Sequence, residues 1–311
     1  MRKFILALLV SLLMPTSFAL QKLTVALDWF PNPDHAPLIV AKAENYFQQQ
    51  GLDVEFITPS DPNDAPKWVA AGKVDLGVTY EPKFMEQVDQ GLPLISVGTL
   101  IDRPLDCLIV LKKTGITQLS DLKGKRIGHG SGGLSSIMLK TILKHAGIEA
   151  NQIQLINLHY NLTQALLSGK VDAVSGIMRN IEIPQIEALG ETVIPFLPED
   201  NGIPTYSTLI FVSHLQTKQD PRFTKFFIAL KKAVRYIDEH PKQSWDDFTY
   251  AYPESNNTIN RQAWFATMPY FAEQPTEFDN SEWLAFAKFM QKNSMIKTVQ
   301  PIQRYIYQAQ S

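Results

Sequence analysis

Apolar positions along this chain fall into two rhythms: short β-branched runs, and longer stretches with apolar residues three and four apart. The run 23–29 (LTVALDW) predicts a buried strand. In 36–51 (APLIVAKAENYFQQQG), Ile39, Ala43, Tyr46 and Phe47 recur at helical spacing and Gly51 supplies a stop, which predicts one helix. LDVEFIT then reads as a strand, NDAPKWVAAG as a short helix capped by Asn63 or Asp64, and VDLGVTY as a strand. EPKFMEQVDQG is a helix with Pro82 in its first turn, and LPLISVGTL a strand. After LSDLKGK the order repeats, with strands RIGHGS, IQLINLHY, VDAVSGI and ETVIPFL separated by helices GLSSIMLKTILKHAG, LTQALLSG and IEIPQIEALG. Such alternation predicts an α/β protein with two open, mostly parallel sheets flanked by helices.

A repeated phrase supports two matching halves. AAGKVDLGV and LSGKVDAVS each end a helix on a glycine, Gly72 and Gly169, and enter the next strand through Val–Asp. A glycine there can take the left-handed conformation of a helix cap. Ligands of open α/β sheets bind beyond the carboxyl ends of the strands, so two facing lobes would share one cleft. The segments 105–115 and 206–216 are extended, apolar and free of a Gly/Ser tether, and predict a two-strand hinge near 108–111 and 209–212. In 220–241, Phe223, Phe226, Phe227, Leu230, Val234 and Ile237 share one helical face, and SEWLAFAKFMQKN is a second amphipathic helix. These helices are expected to pack on the first lobe. The expected division is 20–109 with 208–311 for the first lobe and 110–207 for the second.

The first residues stand apart. Arg2 and Lys3 precede the apolar run 4–14, and SFA places small residues at Ser17 and Ala19. This pattern predicts a signal peptide, 1–19, cleaved after Ala19. The alternative, a membrane anchor, needs a span of about 20 apolar residues. Export to a periplasm is the expectation. With 29 Lys and Arg against 31 Asp and Glu, the chain has no basic excess, and no nucleic-acid partner is expected. The single Cys107 excludes an internal disulfide.

The strand ends carry the candidate chemistry. DWFPNPDH, TPSDPND and TYE follow strands of the first half, and HGSGG, HYN and SGIMRNIE follow strands of the second. They supply aromatic faces at Trp29, Tyr80 and Tyr160 and carboxylates at Asp28, Glu81 and Glu182. Asn32, Ser60, Thr79, Ser131 and Asn161 add polar groups. That lining suits a small, flat, nitrogen-containing ring, which stacks on aromatic faces and offers an amine and a ring nitrogen to a carboxylate. Plainer readings stay open: Trp29 as core, Asp28 as a cap for PDHA, His35 as a helix-start residue, Glu182 as an exposed helix charge. HGSGG reads either as an anion-binding turn or as a tight strand–helix connection. Enzyme chemistry finds little support. The six histidines show no metal-ligand spacing, Ser131 is not in a GxSxG elbow, Cys107 falls in a predicted hinge strand, and no phosphate loop is present.

At DWFPNPDHAPLIVAKAENYFQQQGLDV the chain resembles the NMT-type thiamine-precursor family, and the likeness continues through GKVDLGVTYEP, LKGKRIGHGS and SGKVDAVSG. The resemblance implies the two-lobed (type II) periplasmic binding protein fold. DWFPNPDHA and VTYEP look most like the formylaminopyrimidine-binding component of thiamine-salvage ABC transporters. The GKVD step is shared with sulfonate and nitrate binders. The resemblance implies a pyrimidine between aromatic faces, with Trp29, Asn32, Tyr80 and Glu182 at motif positions. It also implies a monomeric receptor with no cofactor, partnered by an inner-membrane ABC permease. One departure is GIMRNIE: the transporter proteins tend to carry an aromatic cluster before the glutamate, where this chain has Met178 and Arg179. Such a wall favours a related pyrimidine or a ligand with an acidic group near Arg179. The same family includes a synthase that builds the thiamine pyrimidine from pyridoxal phosphate and its own histidine. Its cofactor-holding lysine aligns with Thr79 and its consumed histidine with Lys83, and its cysteine-rich run falls near PTYSTLIFV, which has none. A third reading, a sulfonate or other anion binder, would rest on Arg179 and HGSGG.

Overall fold

The computed structural model describes residues 19–61, 63–130, 133–159 and 161–308. Segment 1–18, which carries the signal-peptide reading, lies outside the described residues, as do Ser131 and Tyr160. Among the described residues no helix is long and apolar enough to cross a membrane.

The first half runs β1 Gln21–Ala26, α1 Ala36–Ala43, α2 Tyr46–Gln49, β2 Leu52–Ile57, α3 Asp64–Ala70, β3 Leu76–Thr79, α4 Glu81–Asp89 and β4 Leu94–Ile101. The chain continues through β5 Asp106–Leu111, β6 Arg126–His129, α5 Gly133–His145, β7 Gln154–Asn157, α6 Leu162–Leu167, β8 Ala173–Met178, α7 Glu182–Ala188 and β9 Val193–Phe196. It returns as β10 Leu209–His214 and ends in α8 Pro221–Glu239, α9 Pro241–Ala251, α10 Thr258–Thr267, α11 Asn280–Lys292 and α12 Ile302–Tyr305. The single helix expected over 36–51 is two, because Asn45 adopts φ 57, a left-handed conformation that asparagine tolerates and that ends α1. Ile39, Tyr46 and Phe47 are buried all the same.

The strands form two five-stranded sheets with the same plan, β2-β1-β3-β10-β4 and β7-β6-β8-β5-β9. In each, one inserted strand runs antiparallel to both its neighbours: β10 between β3 and β4, and β5 between β8 and β9. The sheets are therefore mixed, though the remaining strands of each share one direction. The segments 108–111 and 209–212, expected as a hinge, are the buried interiors of these inserted strands. The crossings precede them, at 102–105, a strand before the expected boundary at 109/110, and at 197–208. Thr208 fastens the crossings together, its Oγ1 accepting from the Leu105 N–H at 2.9 Å and donating to the Arg103 carbonyl at 2.7 Å. The insertion has a positional consequence: an antiparallel strand begins where its parallel neighbours end. Asp106 thus lies opposite Met178 at the end of β8, and Ile210 opposite Thr79 at the end of β3.

The repeated phrase has a physical counterpart. Gly72 and Gly169 both cap helices at positive φ, 66° and 70°. Asp75 then accepts from the Thr24 N–H at 2.8 Å while its own N–H donates to the Thr24 carbonyl at 3.1 Å. Asp172 does the same with Arg126, at 2.9 and 2.8 Å. Each aspartate clamps the third strand of its half onto the first, at Thr24 within β1 and at Arg126 at the start of β6.

The C-terminal helices cover the first sheet as expected, with Phe47 stacked on Phe226 at 5.1 Å, but α10 also packs on α7 beside the second sheet. At Gly98 of β4 a Cβ would overlap the Phe227 ring and stand 3.1 Å from the Pro275 carbonyl. Gly98→Ala should therefore destabilise the protein by about 1–3 kcal/mol through overpacking, read as a lowered urea midpoint; an unchanged midpoint would show that Phe227 gives way freely.

Candidate functional site

Two residues beyond β1, Asp28 is buried at 3% exposure, and the chain then turns through a proline-rich loop into α1. Asn32 shapes that loop, its Oδ1 accepting from the Asp34 N–H at 2.9 Å and its amide donating to the Phe30 carbonyl at 3.0 Å. The turn delivers His35 to full burial, with Nε2 2.8 Å from Asp28 Oδ1. Asp28 is thus not a helix cap but the partner of a histidine ring. It also hydrogen-bonds the Tyr80 hydroxyl, which follows β3. Burial, then the nearby Asp28 and Asp34, push the Tyr80 phenol well above its usual range.

Asp34 itself is buried, and burial pushes it up to about 6 although His35 pulls it down. Its partner comes from the other sheet. Asn180, two residues past β8, donates through Nδ2 to Asp34 Oδ1 at 2.6 Å and to Thr267 Oγ1 at 2.8 Å. Glu182 opens α7 and accepts from the Met178 N–H at 2.8 Å. Burial pushes it up to about 7 against that bond, with Asp106 and Asp34 adding to the rise. Burial also raises Asp106, which accepts from the Tyr206 hydroxyl at 3.0 Å.

Asp28, Asp34, Tyr80, Asp106 and Glu182 therefore gather at the cleft ends of the two sheets. Trp29 follows Asp28 in the chain, 49% exposed and in a T-shaped pair with Phe30 at 5.7 Å, so its ring is half open rather than core. Ser60 and Asn161 are exposed in the loops after β2 and before α6, and Thr79 is buried at the end of β3. Glu81 does not join the group: its carboxyl turns under the 197–208 crossing and accepts from the Ser207 N–H at 2.6 Å. Arg179 is also committed, forked onto Glu199 at 2.7 and 2.9 Å and onto the Asp106 carbonyl at 3.3 Å. Its Nε is buried and has no hydrogen-bond partner among the described residues, so only the two terminal nitrogens are engaged. Among the described residues no cluster of His, Cys, Asp and Glu could hold a metal.

Sequence reasoning passed over Asp34, Asn180, Asp106 and Tyr206, and read His35 as a helix start. All but Tyr206 carried a signal. Asp34 and His35 lie inside the quoted opening motif, Asn180 lies between Arg179 and Glu182, and Asp106 is a lone charge before five apolar residues.

The raised carboxyls make a pH prediction. In the unfolded chain Asp34, Glu182 and Glu81 titrate near 3.8 to 4.5, but in the fold they hold protons to about 6, 7 and 8. The folded state binds more protons in that window, so this stabilisation is complete in acid and lost as pH rises. The melting temperature of the ligand-free protein should fall between pH 5 and 8.5; a constant or rising value would contradict the burial of these groups.

Residues 32–244 match the family described as NMT1/THI5 like. The chain belongs to this family. A Haemophilus influenzae relative named for thiamine biosynthesis is 39% identical over 97% of this chain and 96% of its own. The formylaminopyrimidine-binding protein of Halalkalibacterium halodurans is 30% identical over 73% of this chain and 69% of its own. A 4-amino-5-hydroxymethyl-2-methylpyrimidine phosphate synthase of Saccharomyces cerevisiae is 28% identical over 81% and 77%. The family thus holds a binding protein and a synthase at similar distance from this chain. Among solved structures, the periplasmic aliphatic sulphonate binding protein SsuA of Escherichia coli superposes with a TM-score of 0.74 at 16% identity, covering 93% of each chain. The fold of this NMT1/THI5-like chain is that of a periplasmic binding protein.

Proposed function

We propose that this protein is the receptor of an ABC importer and binds a thiamine pyrimidine precursor of the hydroxymethylpyrimidine or formylaminopyrimidine type. The observation that carries the reading is the buried acidic group around Tyr80 and Glu182, with the half-open Trp29 ring next to Asp28 in the chain. An aminopyrimidine presents an amine and a ring nitrogen on one edge. A desolvated carboxyl poised near neutrality can pair with that edge, and such charge-assisted bonds are about twice as strong as neutral ones. Trp29 and Tyr80 supply aromatic faces, each pair adding about 0.5–1.5 kcal/mol beyond area burial. Micromolar binding requires about −8 kcal/mol, which one stacked ring and one charge-assisted fork in a closed cleft largely supply. Ligand would favour the closed arrangement through the contacts that both lobes make with it. Export to the periplasm, a monomeric state and docking on a membrane permease complete the reading; likeness to import-system components supports it.

The synthase reading lacks its parts in this chain. Thr79 stands where the cofactor-holding lysine is expected, and Lys83, at the consumed histidine, pairs with Glu86 at 3.2 Å. These residues do not fit pyridoxal phosphate. The pairing of Arg179 with Glu199 weighs against an anion binder, since that charge is already balanced. Native mass spectrometry of the purified protein tests the reading. A co-purifying aminopyrimidine, released unchanged on denaturation, is the expected result; a bound sulfonate or pyridoxal phosphate would overturn it.

A further inference from the structure

Glu81 opens α4, directly after Tyr80. Its carboxyl accepts from both the N–H and the hydroxyl of Ser207, the former at 2.6 Å. Ser207 lies on the crossing from β9 to β10, between Tyr206, bonded to Asp106 of the second sheet, and Thr208, bonded to the other crossing. One carboxyl therefore joins an aromatic wall of the cleft to the segments that connect the two sheets. Glu81 is 1% exposed, and its Oε1 has no hydrogen-bond partner among the described residues. Buried polar atoms without partners are uncommon and call for a reason. Among the described residues no cation offsets the group. The charge that acts on it is Glu282 of α11, of like sign and itself 3.9 Å from Arg103. Burial pushes Glu81 up to about 8, so it carries its proton at neutral pH.

We propose that Glu81 is a positioning residue, whose buried carboxyl locks the start of α4, and with it the Tyr80 ring, to the crossing at Ser207. Tyr80 placement and lobe movement are then one motion. Ionising Glu81 would bury a charge with no counter-ion, and the segment relieves that by letting Ser207 go. Glutamine mimics the neutral acid, since its carbonyl still accepts from Ser207, and it cannot ionise.

Hydrogen exchange on the full-length, ligand-free protein tests this, with wild type, Glu81→Gln and Glu81→Ala compared at pH 7 and 9 after correction for intrinsic rates. In Glu81→Ala at pH 7, and in wild type at pH 9, peptides covering 80–84 and 204–208 should both lose protection about tenfold, whereas Glu81→Gln keeps it at both pH values. Loss confined to one segment, or a glutamine variant that exchanges like alanine at pH 7, would overturn the proposal. The ligand arm rests on the pyrimidine reading. Titration with 4-amino-5-hydroxymethyl-2-methylpyrimidine should show Glu81→Ala weakened about tenfold and Glu81→Gln within threefold of wild type at pH 7. Between pH 7 and 9, wild type should lose affinity relative to Glu81→Gln; equal pH profiles would count against Glu81. If wild type binds no pyrimidine, the receptor reading fails, and the exchange arm decides the role of Glu81 separately.

Discussion

Replacing Glu182 with alanine is expected to weaken aminopyrimidine binding about a hundredfold. Hydrogen bonds to charged groups contribute about 1.5–3 kcal/mol each, and every 1.4 kcal/mol is tenfold in affinity. Glu182 is placed to provide such a bond because the Met178 N–H fixes one of its oxygens at 2.8 Å and the second-sheet end holds it partly buried. Glutamine would still accept from Met178 but could not carry charge. Glu182→Gln should therefore fall between wild type and alanine, with a loss near tenfold. Trp29→Ala should also cost about tenfold, since the exposed ring loses stacking and little else. Calorimetric titration, checked by thermal melts, reads all three. Unchanged affinity in both Glu182→Ala and Trp29→Ala would remove these residues from the site.

The largest stability effect is expected at His35. Its ring is fully buried and meets the carboxylate of Asp28, itself 3% exposed, at 2.8 Å. Removing one partner of a buried pair leaves an uncompensated charge, which costs about 3–5 kcal/mol. His35→Ala should lower the stability of the fold by that order, leaving the Tyr80 hydroxyl as the partner of Asp28. Asp28→Asn keeps a hydrogen-bonding group in place and should cost less. Urea unfolding followed by tryptophan fluorescence gives the comparison. A His35→Ala midpoint equal to wild type would mean that the pair holds nothing together.

The element order, the two-halved plan and the cleft between strand ends could be read from the chain because each rests on local pattern. Gly72 and Gly169 announce themselves by position, and the aspartates after them turned out to make equivalent clamps. The segments 108–111 and 209–212 lie within central strands, and an extended apolar run is what such a strand looks like; the chain passes between the sheets just before each. No local pattern tells that either strand runs antiparallel between its neighbours. Of the candidate site, Asp28, Tyr80 and Glu182 came together, while Glu81 turned to the crossing and Arg179, beside Asp106, paired with Glu199. Tyr80 and Glu81 are adjacent, and adjacent side chains at a strand end diverge, one to the cleft and one to the crossing. Arg179 could not be recognised as paired because Glu199 reaches it only through the fold. Asn180 escaped notice since its partners, Asp34 and Thr267, lie in distant parts of the chain.

The central claim, a receptor that holds an aminopyrimidine without converting it, is tested most directly by isothermal titration. The wild-type protein is titrated with 4-amino-5-hydroxymethyl-2-methylpyrimidine and with formylaminopyrimidine, and the compound is recovered afterwards. One site of micromolar or tighter affinity for at least one of them is expected, with the compound recovered intact. No binding of either pyrimidine, alongside saturable binding of pyridoxal phosphate or an alkanesulfonate, would contradict it.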